Sequence, residues 1–141
     1  MFRELWNIGV KVKDLEREID FLSRVGAAVV LRETLALAGQ TTEYAILSLA
    51  GVRILLFPSV LFEGRVDGEV RPGLTHAVYQ VDDVDAEFER IKDLGGEVLV
   101  EPMYASGGFG TRRLAFFRSP GGFVFEVMQV LEDRLNQGTS A

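Results

Sequence analysis

The chain contains no cysteine and a single histidine among its 141 residues. Without cysteine there is no disulfide framework, no thiolate nucleophile and no Cys-type zinc site, so any metal must rest on nitrogen and oxygen donors. A basic face is also missing. The net charge of -6 argues against nucleic-acid binding, which needs positive charge to neutralise phosphates. No apolar run approaches the roughly 18 residues that cross a bilayer. The start, MFRELWN, carries an acidic residue and no extended apolar stretch of signal-peptide type. These absences predict a soluble, cytoplasmic protein with neither nucleic acid nor membrane as partner. Apolar residues are plentiful at 48%, enough for one core, and the length predicts a single globular domain over 1–141.

The chain states its pattern twice. NIGVKVKDLEREIDFLSRVGAAVVLRE, from Asn7, aligns without a gap to HAVYQVDDVDAEFERIKDLGGEVLVEP, from His76. Ile8, Val10 and Val12 alternate as Ala77, Tyr79 and Val81 do, the period of a strand with one apolar face. Asp14 and Asp83 follow as helix N-caps. Leu15, Ile19, Leu22 and Val25, matched by Val84, Phe88, Ile91 and Leu94, form apolar stripes at helical spacing. Gly26 and Gly95 end the helices. AVVL and EVLV are the next strands, and each half closes with a hairpin, TEYAILSLAGVRILLF or TRRLAFFRSPGGFVFEVMQV. Each half is therefore βαβββ, the first over about 5–58 and the second over about 74–131. A glycine-, proline- and charge-rich connector at about 59–73 joins them, and a frayed tail occupies 132–141. Sixty-odd residues bury too little surface to stand alone, so the halves are expected to associate, within the chain or by exchange with a second one.

Strand parity selects the chemistry. If Ile8, Val10 and Val12 pack beneath their helix, Asn7, Gly9 and Lys11 face the other way, and by the repeat so do His76, Val78 and Gln80. In FVFEVMQV the same parity places Val124, Glu126 and Met128 opposite the aromatic set Phe123, Phe125 and Val127. A carboxylate between apolar neighbours is costly without a partner, because desolvation disfavours its charged form. His76 is the natural partner for Glu126.

The doubled βαβββ, with a histidine opening the second half and a closing G-x-x-x-E from Gly122 to Glu126, resembles the vicinal oxygen chelate superfamily. That superfamily holds glyoxalase I, extradiol dioxygenases, methylmalonyl-CoA epimerase and the fosfomycin and bleomycin resistance proteins. The resemblance covers about residues 5–130 and implies an α+β, glyoxalase-like fold, two βαβββ modules making a cupped mixed sheet. The first and last strands of each half then offer up to four inward metal positions. Asn7 stands where a histidine or glutamine is common, His76 and Glu126 match, and the remaining carboxylate position falls on Leu55 or Leu56, both apolar. Ser119 and Gly121 replace aspartates common before the last strand. The resemblance also implies a homodimer.

The candidate metal ligands are thus His76, Glu126 and Asn7, with Gln80 and Glu43 as possible substitutes for the third. Such a set favours manganese, iron or magnesium over tightly bound zinc, and the alternative of no metal stays open. MYASGGFGTRR, residues 103–113, has the glycines of a mobile loop. Tyr104 and Phe109 are placed to cover a ligand, and Arg112 or Arg113 to meet an anion. Gln80, Tyr104, Phe109 and Arg113 are the candidate substrate contacts, and His76 and Glu126 the candidate catalytic pair. Three functions fit. One is a metal-assisted lyase, isomerase or dioxygenase acting on an oxygenated small molecule. Another is a metal-free drug- or metabolite-binding protein of the bleomycin-resistance type. The third is metal-free acid–base catalysis by His76 and Glu126. Fold alone does not choose among them.

Overall fold

The two halves meet edge to edge within one continuous sheet. A computed structural model describes residues 1–37, 39–66 and 68–135. The elements run β1 (Phe2–Lys11), α1 (Leu15–Val25), β2 (Ala28–Leu37), β3 (Gln40–Leu49), β4 (Val52–Phe57), β5 (Gly73–Val81), α2 (Val84–Asp93), β6 (Glu97–Gly107), β7 (Gly110–Arg118) and β8 (Val124–Asp133). The eight strands are ordered β2-β3-β4-β1-β5-β8-β7-β6. β1 and β5 pair antiparallel at the centre, and each runs parallel to the last strand of its own half, β4 or β8. This is the glyoxalase-like α+β plan. β8 extends to Asp133, into the segment expected to fray, while the rest of that tail from residue 136 lies outside the described residues.

Local chemistry sets both helices. The Asp14 carboxylate accepts from the Arg17 N–H and the Asp83 carboxylate from the Ala86 N–H, each at 3.1 Å, satisfying a donor that the first turn leaves without an intrahelical partner. Gly26 ends α1 at φ 136°, a conformation open to glycine but not to residues with a β-carbon. Val84, Phe88 and Ile91 of α2 are buried against Phe117 and Val127. Leu15, Ile19 and Leu22 of α1 pack over Leu47 and Leu56. Val25 and Leu94, the last residues of the two stripes, are exposed because each falls at its helix's end. Leu56 and Val127 are fully buried beneath the helices, each worth about 1.5–3 kcal/mol of transfer free energy.

The opposite, concave face carries a second core of Tyr44, Ile46, Leu114 and Phe116. The connector contributes to it. Its composition suggested a linker, but Val60 and Phe62 are buried on the concave face, since three consecutive apolar residues, Val60 to Phe62, outweigh the flanking glycines and charges. Lys11 holds this segment down through a 2.8 Å ion pair with Glu63. The two sheet edges are drawn together by Glu33 of β2, which accepts from the Tyr44 hydroxyl and from the Gly108 N–H at the β6–β7 tip, both at 2.6 Å. Burial, reinforced by that carboxylate, pushes the Tyr44 phenol far above its ordinary range, so it remains a donor. The cup is closed at this end by one hydrogen-bonded latch. Among the described residues no helix is long and apolar enough to cross a membrane.

Candidate functional site

The concave face encloses a cavity of about 490 Å³, bordered by Asn7, Leu55, His76 and Glu126, a size that suits a small-molecule ligand. Each of these four comes from a central strand. Register resolves the choice between Leu55 and Leu56. Gly9 pairs with Leu55 across β1 and β4 as Val78 pairs with Glu126 across β5 and β8, so Leu55 is the counterpart of Glu126. Leu56 lies on the helix-covered face with Val12 and Ala45.

His76 is buried, 3% exposed at its side chain, and its Nε2 stands 3.5 Å from Oε1 of Glu126. Phe116 and Phe62 meet the imidazole edge-on at 5.0 and 5.6 Å between centroids, and Phe57 stacks on it at 5.9 Å. Thr75 sets the proton. Its hydroxyl donates to the Gly9 carbonyl at 3.0 Å and lies 2.8 Å from Nδ1 of His76. With its one proton committed, the hydroxyl accepts from Nδ1–H. In the neutral ring Nε2 then carries the lone pair, on the side of the Glu126 carboxylate, which is the tautomer a metal ligand or general base needs. Asn7 is buried, and its amide N–H donates to the Ile8 carbonyl at 3.1 Å, which leaves its oxygen as the remaining donor atom.

Do these residues fit a metal? Two ligand atoms each about 2.1 Å from an ion stand roughly 3.0–3.4 Å apart at octahedral or tetrahedral angles, and the His76–Glu126 separation of 3.5 Å is close to that. The protonated, hydrogen-bonded Nδ1 supplies the outer support that ligating histidines use. Against this, no group of three His, Cys, Asp or Glu side chains able to hold a metal occurs among the described residues, and Leu55 occupies the fourth position. The set fits a weakly held, oxygen-preferring divalent ion and not a tight zinc centre.

The structure brings Asn7, His76, Glu126, Phe109 and Arg112 to one cavity and leaves Gln80, Glu43, Tyr104 and Arg113 outside it. Arg113 makes two 2.8 Å hydrogen bonds to Asp85 at the start of α2, with its guanidinium 4.5 Å from the Tyr104 ring centroid. Tyr104 itself is 62% exposed. Tyr104 and Arg113 are paired across β6 and β7, so they share the outer face, and Arg112 takes the inward position. Gln80 is half-buried on β5 and separated from His76 by Val78, which packs with Trp6 and Met128. Glu43 is exposed between the inward-facing Thr42 and Tyr44. Sequence reasoning missed Thr75 and Phe62. The T-H dipeptide in LTHAV was the available sign of the first, and nothing in the connector marked the second.

Comparison with known proteins places this architecture. The family model of the Glyoxalase/Bleomycin resistance protein/Dioxygenase superfamily matches residues 7–127. The chain belongs to that superfamily. Within it, a probable lactoylglutathione lyase from Vibrio cholerae is 31% identical over 128 residues, covering 85% of this chain and 86% of the relative. A Streptomyces coelicolor methylmalonyl-CoA epimerase, in complex with 2-nitronate-propionyl-CoA, superposes with a TM-score of 0.69 at 23% identity, covering 94% of this chain and 98% of that one. Methylmalonyl-CoA epimerase from Mycobacterium tuberculosis gives 0.66 at 23% identity over 89% and 86%. At that identity the structural likenesses establish the glyoxalase-like fold. Superfamily membership and the V. cholerae relative support a small-molecule enzyme.

Proposed function

We propose that this superfamily member moves a proton at a carbon beside a carbonyl, as an isomerase or lyase, with a hard divalent ion held by His76 Nε2, the Glu126 carboxylate and the Asn7 amide oxygen. The observation that carries the reading is the Thr75 hydroxyl fixed between the Gly9 carbonyl and His76 Nδ1, which leaves Nε2 facing Glu126 across 3.5 Å. When bound, such an ion polarises a carbonyl oxygen as a Lewis acid. The remaining work belongs to the chain. His76 fixes the position of the polarised oxygen, and Glu126 takes up the proton and returns it. Phe57, Phe62 and Phe116 surround the imidazole and keep bulk water from that side of the pair, which strengthens its electrostatic interactions. The names of the relatives, a lactoylglutathione lyase and methylmalonyl-CoA epimerases, agree with this reaction class. A dioxygenase would need a second histidine where Asn7 stands.

The test is solvent exchange. In deuterium oxide, incubation with a panel of α-hydroxy ketones and 2-methyl-branched thioesters should place deuterium at the carbon beside the carbonyl. The parent should do so, and E126Q should not. No exchange by the parent on any of them removes the reading. Leu55 at the fourth ligand position favours a second one, a metal-free binding protein. That reading requires aromatic or cationic compounds to raise the melting temperature equally with and without chelator.

A further inference from the structure

Arg112 of β7 is only 2% exposed and borders the same cavity as His76 and Glu126. Its Nη1 donates to the backbone carbonyls of Thr111, at 3.3 Å, and Glu132. Its Nε and Nη2 are buried and, among the described residues, meet no hydrogen-bond geometry. The carboxylate of Asp133 lies 3.5 Å from Nη2 and forms an ion pair with it. Trp6 and Phe109 cover the guanidinium at 5.4 and 5.3 Å. Burial is the main influence on Arg112 and pushes its pKa down, with Asp133 opposing. A guanidinium stays charged regardless. Buried charged donors without acceptors are costly, and each one in a native structure calls for an explanation.

Register locates this charge relative to the reacting end. Phe116 pairs with Glu126 and Arg112 with Val130, so Arg112 lies four residues along the strand, about 13 Å away at strand rise. Leu114 and Met128 border the cavity between these two levels. The cavity thus has an imidazole and a carboxylate at one end, a greasy middle and a desolvated cation at the other.

We propose that Arg112 is the anion-binding end of the cup and that the substrate is an elongated carboxylate, its apolar middle lying along Leu114 and Met128. The planar, singly charged carboxylate suits the Nε–Nη2 edge, which binds such a group through two parallel hydrogen bonds. A dianionic phosphate suits it less, because the Asp133 carboxylate already stands beside it. Phe109 is the cover over this edge. It sits at the β6–β7 tip, which the Glu33–Gly108 hydrogen bond holds down, and a carboxylate reaches the donors only when its ring moves aside. Which end of the substrate reacts rests on the proposed function, whereas the anion site does not.

The test is calorimetric binding of straight-chain carboxylates, from butanoate to dodecanoate, against the matching primary amides, in chelator so that no metal contributes. The parent should bind the longer carboxylates at least about tenfold more tightly than their amides, as expected for charge-assisted hydrogen bonds. R112M should lose that preference, and H76A should keep it. D133N should tighten carboxylate binding several-fold, which decides the matter even if R112M does not fold. Equal binding of carboxylates and amides by the parent overturns the proposal, as does an unchanged preference in folded R112M or weaker carboxylate binding in D133N. A carboxylate preference in a protein that fails to bind metal would remove only the metal reading.

Discussion

Gly9 lies directly against the imidazole of His76. A β-carbon there would run into Cε1 and sit 2.7 Å from Nδ1, and the Gly9 carbonyl also takes the Thr75 hydrogen bond that fixes the ring's proton. One glycine thus supplies both the space for the ring and the acceptor that orients it. Replacing it with alanine should push the ring off its place. Overpacking of this kind costs about 1–3 kcal/mol, so chemical denaturation of G9A should show a loss of that order, together with loss of metal-dependent stabilisation.

Thr75 should act through His76 and not by touching substrate. T75V is nearly isosteric but leaves Nδ1–H without its acceptor. Losing an outer-shell partner lowers metal affinity by about 10–100-fold. T75S should restore most of it, and titration of manganese into the three proteins distinguishes an orienting role from simple packing.

Leu55 occupies the register position that matches Glu126 in the other half. L55E should therefore add a third strong donor to the cup. A contact of about 1.5 kcal/mol or more corresponds to roughly tenfold tighter manganese binding, at some cost in stability without metal. Unchanged affinity in a folded L55E would show that the fourth position is not in reach of the ion.

Glu87 governs part of the acid sensitivity. Burial pushes its carboxyl up, but the Met1 ammonium at 2.5 Å and Arg90 at 2.6 Å outweigh burial and hold it below its usual range. A carboxylate depressed in the folded state gives stability that is complete above its unfolded pKa, about 4.3. That stability is lost as pH falls through the folded value. E87Q should melt lower than the parent at neutral pH and show a smaller drop in melting temperature below about pH 4.

The duplication made the architecture and the inward direction of Asn7, His76 and Glu126 legible, because two copies of one pattern fix strand parity without coordinates. Arg112 and Arg113 were not separable that way. The extra residue at the β7–β8 irregularity, Leu131, lies on β8, so β7 itself alternates unbroken, but nothing in the glycine-rich tip marks which of its two arginines starts the inward series. Counting back from Phe116, which pairs with Glu126, would have done so. Phe62 was hidden for another reason. It sits in a connector without periodicity, and only the shape of the cup gives that segment a surface to bury against.

The most direct test of the account is thermal unfolding of metal-stripped protein, parent beside H76A, titrated with Mn, Fe(II), Co, Ni and Zn. The parent's melting temperature should rise saturably with at least one of these ions, a rise reversed by chelator and absent in H76A. No rise in the parent with any of them, or an equal rise in H76A, would contradict it.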